Sequence, residues 1–149
     1  MRLRQRAQAA HLNGQTEMAK TLYKQLLDTE CIPDDVGNLG AILSNEDQLE
    51  EAITLYEKYL EKWPTNFQLL LNGANTYIKN RMLEKGINLL EKALKIEHKD
   101  LQLAVRITNL LLHINKSAKA INTLEKFCQE NSNNGLAWLE LGSLFYRLQ

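Results

Sequence analysis

The chain has 149 residues, with 18 basic and 18 acidic side chains and no run of 18 apolar residues. That length supports one domain with a real core. The balanced charge presents no strongly basic face for nucleic acid, no stretch has the length of a membrane-spanning helix, and no signal-peptide apolar segment follows Arg2, Arg4 and Arg6.

Residues 1–12 carry few large apolar side chains and read as a worn first helix whose three arginines form a solvated terminal face. Asn13 and Gly14 mark a turn. Residues 16–29 read as its partner helix, with Met18, Ala19, Leu22, Tyr23, Leu26 and Leu27 inward. A loop follows through Cys31, Ile32 and Pro33, and Asp34 or Asp35 is expected to cap the next helix. From Val36 to Pro64 the chain reads as two helices joined by a tight turn. Leu39, Gly40 and Leu43 share one stripe of the first; Leu49, Ala52, Ile53, Tyr56, Tyr59 and Leu60 form an i, i+3, i+4, i+7 stripe on the second. Pro64 ends the unit, because proline cannot continue a helix.

That unit recurs. Leu39, Gly40 and Leu43 return 34 residues on as Gly73, Ala74 and Tyr77, then as Ile107, Thr108 and Leu111, then as Leu141, Gly142 and Phe145. Ala52, Ile53 and Tyr56 return as Gly86, Ile87 and Leu90, then as Ala120, Ile121 and Leu124. Ala7, Gly14, Ala19, Tyr23 and Leu26 hold the same columns upstream, one residue short of the period. A fixed period of this length, with small residues repeated in one column, marks a solenoid whose units bury their apolar faces only by stacking. The pattern resembles the tetratricopeptide repeat over essentially the whole chain, most closely at Trp138, Leu141, Gly142 and Phe145. The resemblance implies an all-α fold: one α-α superhelix of antiparallel helix pairs, with repeats at 1–32, 33–66, 67–100 and 101–134 and a partial repeat at 135–149. The last segment reads as a first helix without its second, so Trp138, Leu141, Leu144 and Phe145 are expected to lack cover. The sequence therefore reads as part of a longer protein, with self-association through that helix as one outcome.

No constellation for chemistry is evident. His11, His98 and His113 fall in different repeats, and neither cysteine has a second cysteine at ligand spacing. There is no glycine-rich phosphate loop, and no serine or cysteine has a nucleophile context. No metal, cofactor or enzymatic activity is expected. Cys31 and Cys128 stand far apart in a linear stack, so no disulfide is expected and a reducing, cytoplasmic setting is the natural one.

Function then belongs to a surface. The resemblance implies that the first helix of each repeat lines a concave face. Three columns there are free of packing duty: Asn38, Asn72, Arg106 and Glu140; Ala41, Asn75, Asn109 and Ser143; Asn45, Lys79, His113 and Arg147. Apolar rows run beside them, including Leu71, Val105 and Leu139. Asparagine offers both donor and acceptor to an extended peptide. The expected binding residues are Asn38, Asn72, Asn75, Lys79, Arg106, Asn109 and His113, and the expected partner is a protein or peptide. Asn38 and Asn72 are similar to the asparagine ladder of O-linked N-acetylglucosamine transferase repeats, which Arg106 and Glu140 interrupt. A carboxylate clamp of the cochaperone kind is incomplete, because its columns hold Arg4, Gln8, Asn38, Gln68 and Asn72. The segment from Leu22 to Leu43 is loosely similar to bacterial repeat arrays that precede glycosyltransferase or sulfotransferase domains. That likeness implies an alternative, a substrate-recognition or assembly arm of a larger enzyme.

Overall fold

Helices begin at Pro33, Phe67, Leu101 and Gly135, each 34 residues after the last, in a computed structural model that describes residues 2–149. Met1, included in the expected first helix, lies outside the described residues. The contacts divide into two compact units, one ending at Met82 and one running Leu83–Gln149. The first holds α1 (Leu3–Leu12), α2 (Thr16–Thr29), α3 (Pro33–Asn45), α4 (Leu49–Lys62) and α5 (Phe67–Lys79). The second holds α6 (Leu83–Ile96), α7 (Leu101–His113), α8 (Ser117–Glu130) and α9 (Gly135–Arg147). No strand occurs among the described residues.

Two local devices set the period. At the start of the first helices, the side chains of Asn66, Asp100 and Asn134 accept from the backbone N–H of Leu69, Leu103 and Ala137 at 3.0–3.1 Å. This satisfies a donor that a helix start leaves open. Ile32 fills the same column at α3 and has no acceptor. Asp35 answers from inside the helix, its carboxylate accepting from the Ile32 N–H at 3.2 Å. Asp35 is thus the capping residue of the two expected. Asp35 is also buried, and Arg4 forks onto it at 3.0–3.1 Å while donating to the Glu30 carbonyl. Arg4 therefore leaves the solvated arginine face expected of it and fastens α1 to the start of α3.

The helix-to-helix turns are a second repeated device. Gly14, Asp47, Arg81 and Asn115 share one column, and each has φ between 58° and 71°. The following residue donates to a carbonyl five positions back, as Gln48 does to Leu43 at 2.9 Å and Lys116 to Leu111 at 2.8 Å. This is the six-to-one bond that closes a helix through a left-handed residue. Only Gly14 adopts that conformation without steric cost.

In the unit ending at Met82, the core runs through Ala19, Tyr23, Leu26, Val36, Leu39, Leu43, Ala52, Tyr56 and Leu69. Met18, expected inward, is half exposed at the first turn of α2. Lys20 is nearly buried between Glu17 at 2.5 Å and Glu46 at 2.7 Å, a clamp from α2 to the end of α3. In Leu83–Gln149 the core gathers Ala104, Leu124, Phe127, Cys128, Ala137, Leu141 and Leu144. Leu141 and Leu144 are thus covered, contrary to the expectation of an uncovered last helix, because α8 packs on α9.

The closest approach lies between α3 and α4. A Cβ placed on Gly40 would overlap the ring and hydroxyl of Tyr56. With no Cβ there, the ring is fully buried against the α3 backbone and its hydroxyl donates to the Gly37 carbonyl at 3.4 Å. In the first helix pair the same columns hold Ala7 and Tyr23, and there the tyrosine hydroxyl is buried with no hydrogen-bond partner. In the fourth they hold Thr108 and Leu124, with no ring to seat. Gly40→Ala should cost about 1–3 kcal/mol through overpacking. In a Tyr56→Leu background the same substitution should cost less. Urea unfolding of the four proteins closes this double-mutant cycle, and equal costs in both backgrounds would refute the contact.

Candidate functional site

The first-helix faces separate into two groups of expected binding residues, one in each unit. In the unit ending at Met82, Asn72 and Asn75 of α5 meet Ala41, Ser44 and Asn45 of α3 around a small polar depression of about 140 Å³. Tyr56 and Thr76 complete its lining. Ser44 and Thr76 did not stand out in the sequence, although Thr76 lies one helical turn from Asn72. Its hydroxyl donates to the Asn72 carbonyl at 3.0 Å and meets the Ser44 hydroxyl at 3.5 Å.

Asn38 and Asn72 are only half exposed, and both face tyrosines inside the fold. Burial raises the Tyr56 phenol well above its ordinary value, and the neighbouring Asn72 amide offsets that in part. Asn72 Oδ1 also accepts from Gln68 at 2.9 Å. Asn38 lies near Tyr23, whose phenol is raised by burial and partly relieved by the Asn38 amide, although no hydrogen bond joins the two. Asn72 is therefore engaged within the fold as well as facing the groove. Lys79 is similarly engaged, paired with Asp47 at 2.6 Å and donating to the Ser44 carbonyl at 2.6 Å. It ties the end of α5 to the end of α3, where a cation also favours the helix dipole.

In Leu83–Gln149 the arrangement is more open. Arg106 and Asn109 of α7 line a groove of about 500 Å³ with Leu101, Gln102, Val105, Leu110 and Glu140. Its walls are mostly apolar, with one cation and one anion at the rim. His113 is exposed in the last turn of α7 and does not line this groove. A second groove, of about 610 Å³, lies between α6 and α8 on the second-helix side. Leu94 and Phe127 are its apolar lining, and Lys95, His98, Lys119 and Lys126 are among its charged residues. Lys119 is held there by Glu91 at 2.7 Å. Among the described residues, no group of three or more His, Cys, Asp or Glu side chains could hold a metal ion, and no helix is long and apolar enough to cross a membrane.

Replacing Asn72 by alanine should lower stability by about 0.5–1.5 kcal/mol, the ordinary loss for a hydrogen-bonded side chain. Asn109→Ala, at an exposed position, should change it by less than about 0.5 kcal/mol. Thermal or urea unfolding distinguishes the two, and equal effects would remove the internal role assigned to Asn72.

The tetratricopeptide repeat family matches residues 45–106. Solved structures of similar fold cover nearly the whole chain. A tetratricopeptide repeat protein from Parabacteroides merdae superposes with a TM-score of 0.75 at 19% identity, covering 97% of this chain and 59% of that one. MamA from Desulfovibrio magneticus RS-1, from residue 41 to its end, gives 0.72 at 18% identity, covering 97% and 82%. Another MamA structure gives 0.72 at 15% identity, covering 97% and 79%. No curated protein sequence matches the chain. The resemblance seen in the repeat columns holds: residues 45–106 are tetratricopeptide repeat sequence, and the helices around them complete the all-α fold that solved tetratricopeptide repeat structures share.

Proposed function

We propose that the chain is a protein-interaction scaffold, one repeat domain that holds a peptide or partner helix along the first helices of its repeats. The observation that carries this is the groove on α7, where exposed Arg106 and Asn109 stand among Leu101, Val105 and Leu110, with Glu140 across from them. A bound segment would set an apolar side chain against the aliphatic residues while the amide and the two charges fix its register. The polar depression at Asn72 and Asn75 supplies a second set of donors and acceptors of the same kind. The repeat family, whose members act through protein contacts, supports the same reading. Catalysis has no assigned role, and the arm-of-an-enzyme alternative gains no specific support from the two grooves. The thiols of Cys31 and Cys128 are free, which suits a reducing, cytoplasmic setting.

A peptide array probed with the wild-type chain and with an Asn75→Ala/Arg106→Glu/Asn109→Ala variant of equal thermal stability tests the proposal. Asn72 is left intact because it also serves the fold. Ligands captured by the wild type should be lost, by at least about tenfold in affinity, with the variant. Equal capture by both proteins would move binding off the first-helix face.

A further inference from the structure

The groove between α6 and α8 lies where the unit ending at Met82 has a filled contact. The pair α6 and α8 repeats the columns of α2 and α4. The apolar floor is the same in both: Leu27 and Tyr59 become Leu94 and Phe127, each packed in the core of its own unit. The residue above that floor differs. Leu55 of α4 is 9% exposed and belongs to its core, whereas its column in α8 holds Thr123. Thr123 is shorter, and its hydroxyl is already spent on the Lys119 carbonyl at 2.8 Å. A groove of about 610 Å³ results, with α6 and α8 as its walls and no residue of α9 in its lining.

The charges along the groove define what would fill it. At one end Glu91 of α6 meets Lys119 of α8 at 2.7 Å, as Lys24 of α2 meets Glu51 of α4 at 2.8 Å with the signs exchanged. At the other end an anion is missing. Asp28 of α2 lies close enough to Tyr59 to act on its phenol, but the column of Asp28 holds Lys95 in α6. Lys95 has no ion pair among the described residues, and Lys126 lines the same groove. Glu130 is an exposed neighbour of Lys126 on its own helix at 3.7 Å, a pair of little weight. This end of the groove is held in place by Asn131, whose amide donates to the carbonyls of His98 and Phe127 at 3.0 and 3.1 Å. Asn122 is exposed on the rim, its side-chain amide unengaged among the described residues.

We infer that this groove docks an extended segment of a partner protein that carries an aliphatic side chain beside a carboxylate. The aliphatic side chain takes the place that Leu55 fills in the other unit, over Leu94 and Phe127. The carboxylate pairs with Lys95 and Lys126 and restores the charge that Asp28 supplies there. Asn122 offers donor and acceptor to the bound backbone. The site lies on the second helices and is separate from the groove at Arg106 and Asn109.

The probe is the peptide Gly-Ser-Leu-Asp-Leu-Asp-Ser-Gly, titrated into the isotope-labelled full chain and followed by amide NMR shifts. Saturable shifts are expected at Lys95, Asn122, Thr123 and Lys126. Affinity should fall at least about tenfold in Thr123→Leu, which fills the groove as Leu55 does and leaves thermal stability unchanged or raised. Lys95→Glu/Lys126→Glu should weaken binding similarly, and a peptide with lysine in place of each aspartate should bind that variant. Arg106→Glu/Asn109→Ala should leave the titration unchanged, so failure here and failure of the first-helix reading are distinguishable. Absence of saturable shifts, equal binding to Thr123→Leu, equal binding of a peptide with asparagine in place of each aspartate, or loss with Arg106→Glu/Asn109→Ala would overturn the inference. Shifts of the same amides with protein concentration alone would also overturn it, by assigning the groove to a second copy of this chain.

Discussion

One contact organises this chain: an aromatic ring laid against helix backbone where a side chain is missing. Gly40 allows Tyr56 to reach α3, to be buried completely, and to place its hydroxyl at the Gly37 carbonyl. Burying a side chain of that size contributes roughly 1.5–3 kcal/mol, but only if the phenol is not orphaned. The glycine serves both requirements, since the ring must advance far enough for its oxygen to find an acceptor. The first helix pair shows the other case. With Ala7 in the column, Tyr23 is equally buried but its hydroxyl makes no hydrogen bond, and only the nearby Asn38 amide eases its burial. The fourth pair avoids the difficulty, because Leu124 brings no hydroxyl and Thr108 satisfies its own by donating to the Ala104 carbonyl at 2.9 Å.

This constraint reaches the surface. A buried tyrosine lies at the inner edge of the first-helix face beside each of Asn38 and Asn72, which are half buried themselves. Where leucine replaces tyrosine, at Leu90 and Leu124, the asparagine column holds Arg106 and Glu140 instead. The column thus changes its chemistry with the core residue one helix earlier. What looks like an interrupted asparagine ladder is, in physical terms, a polar column that follows the presence or absence of a buried hydroxyl.

The helices and their stacking were legible because burial in a repeat fold is written periodically. A small residue in one column and a large one four positions later can be read without coordinates, and the helix starts at Pro33, Phe67, Leu101 and Gly135 follow that period. The individual roles of polar residues were not legible. Asn72 lies beside Tyr56, sixteen positions away on another helix, and the partner of Arg4 is Asp35, which lies in a different repeat. Lys79 reads as a groove residue by its column and is occupied by Asp47 and the end of α3. Sequence period reports which face a residue occupies; it does not report which neighbour satisfies it.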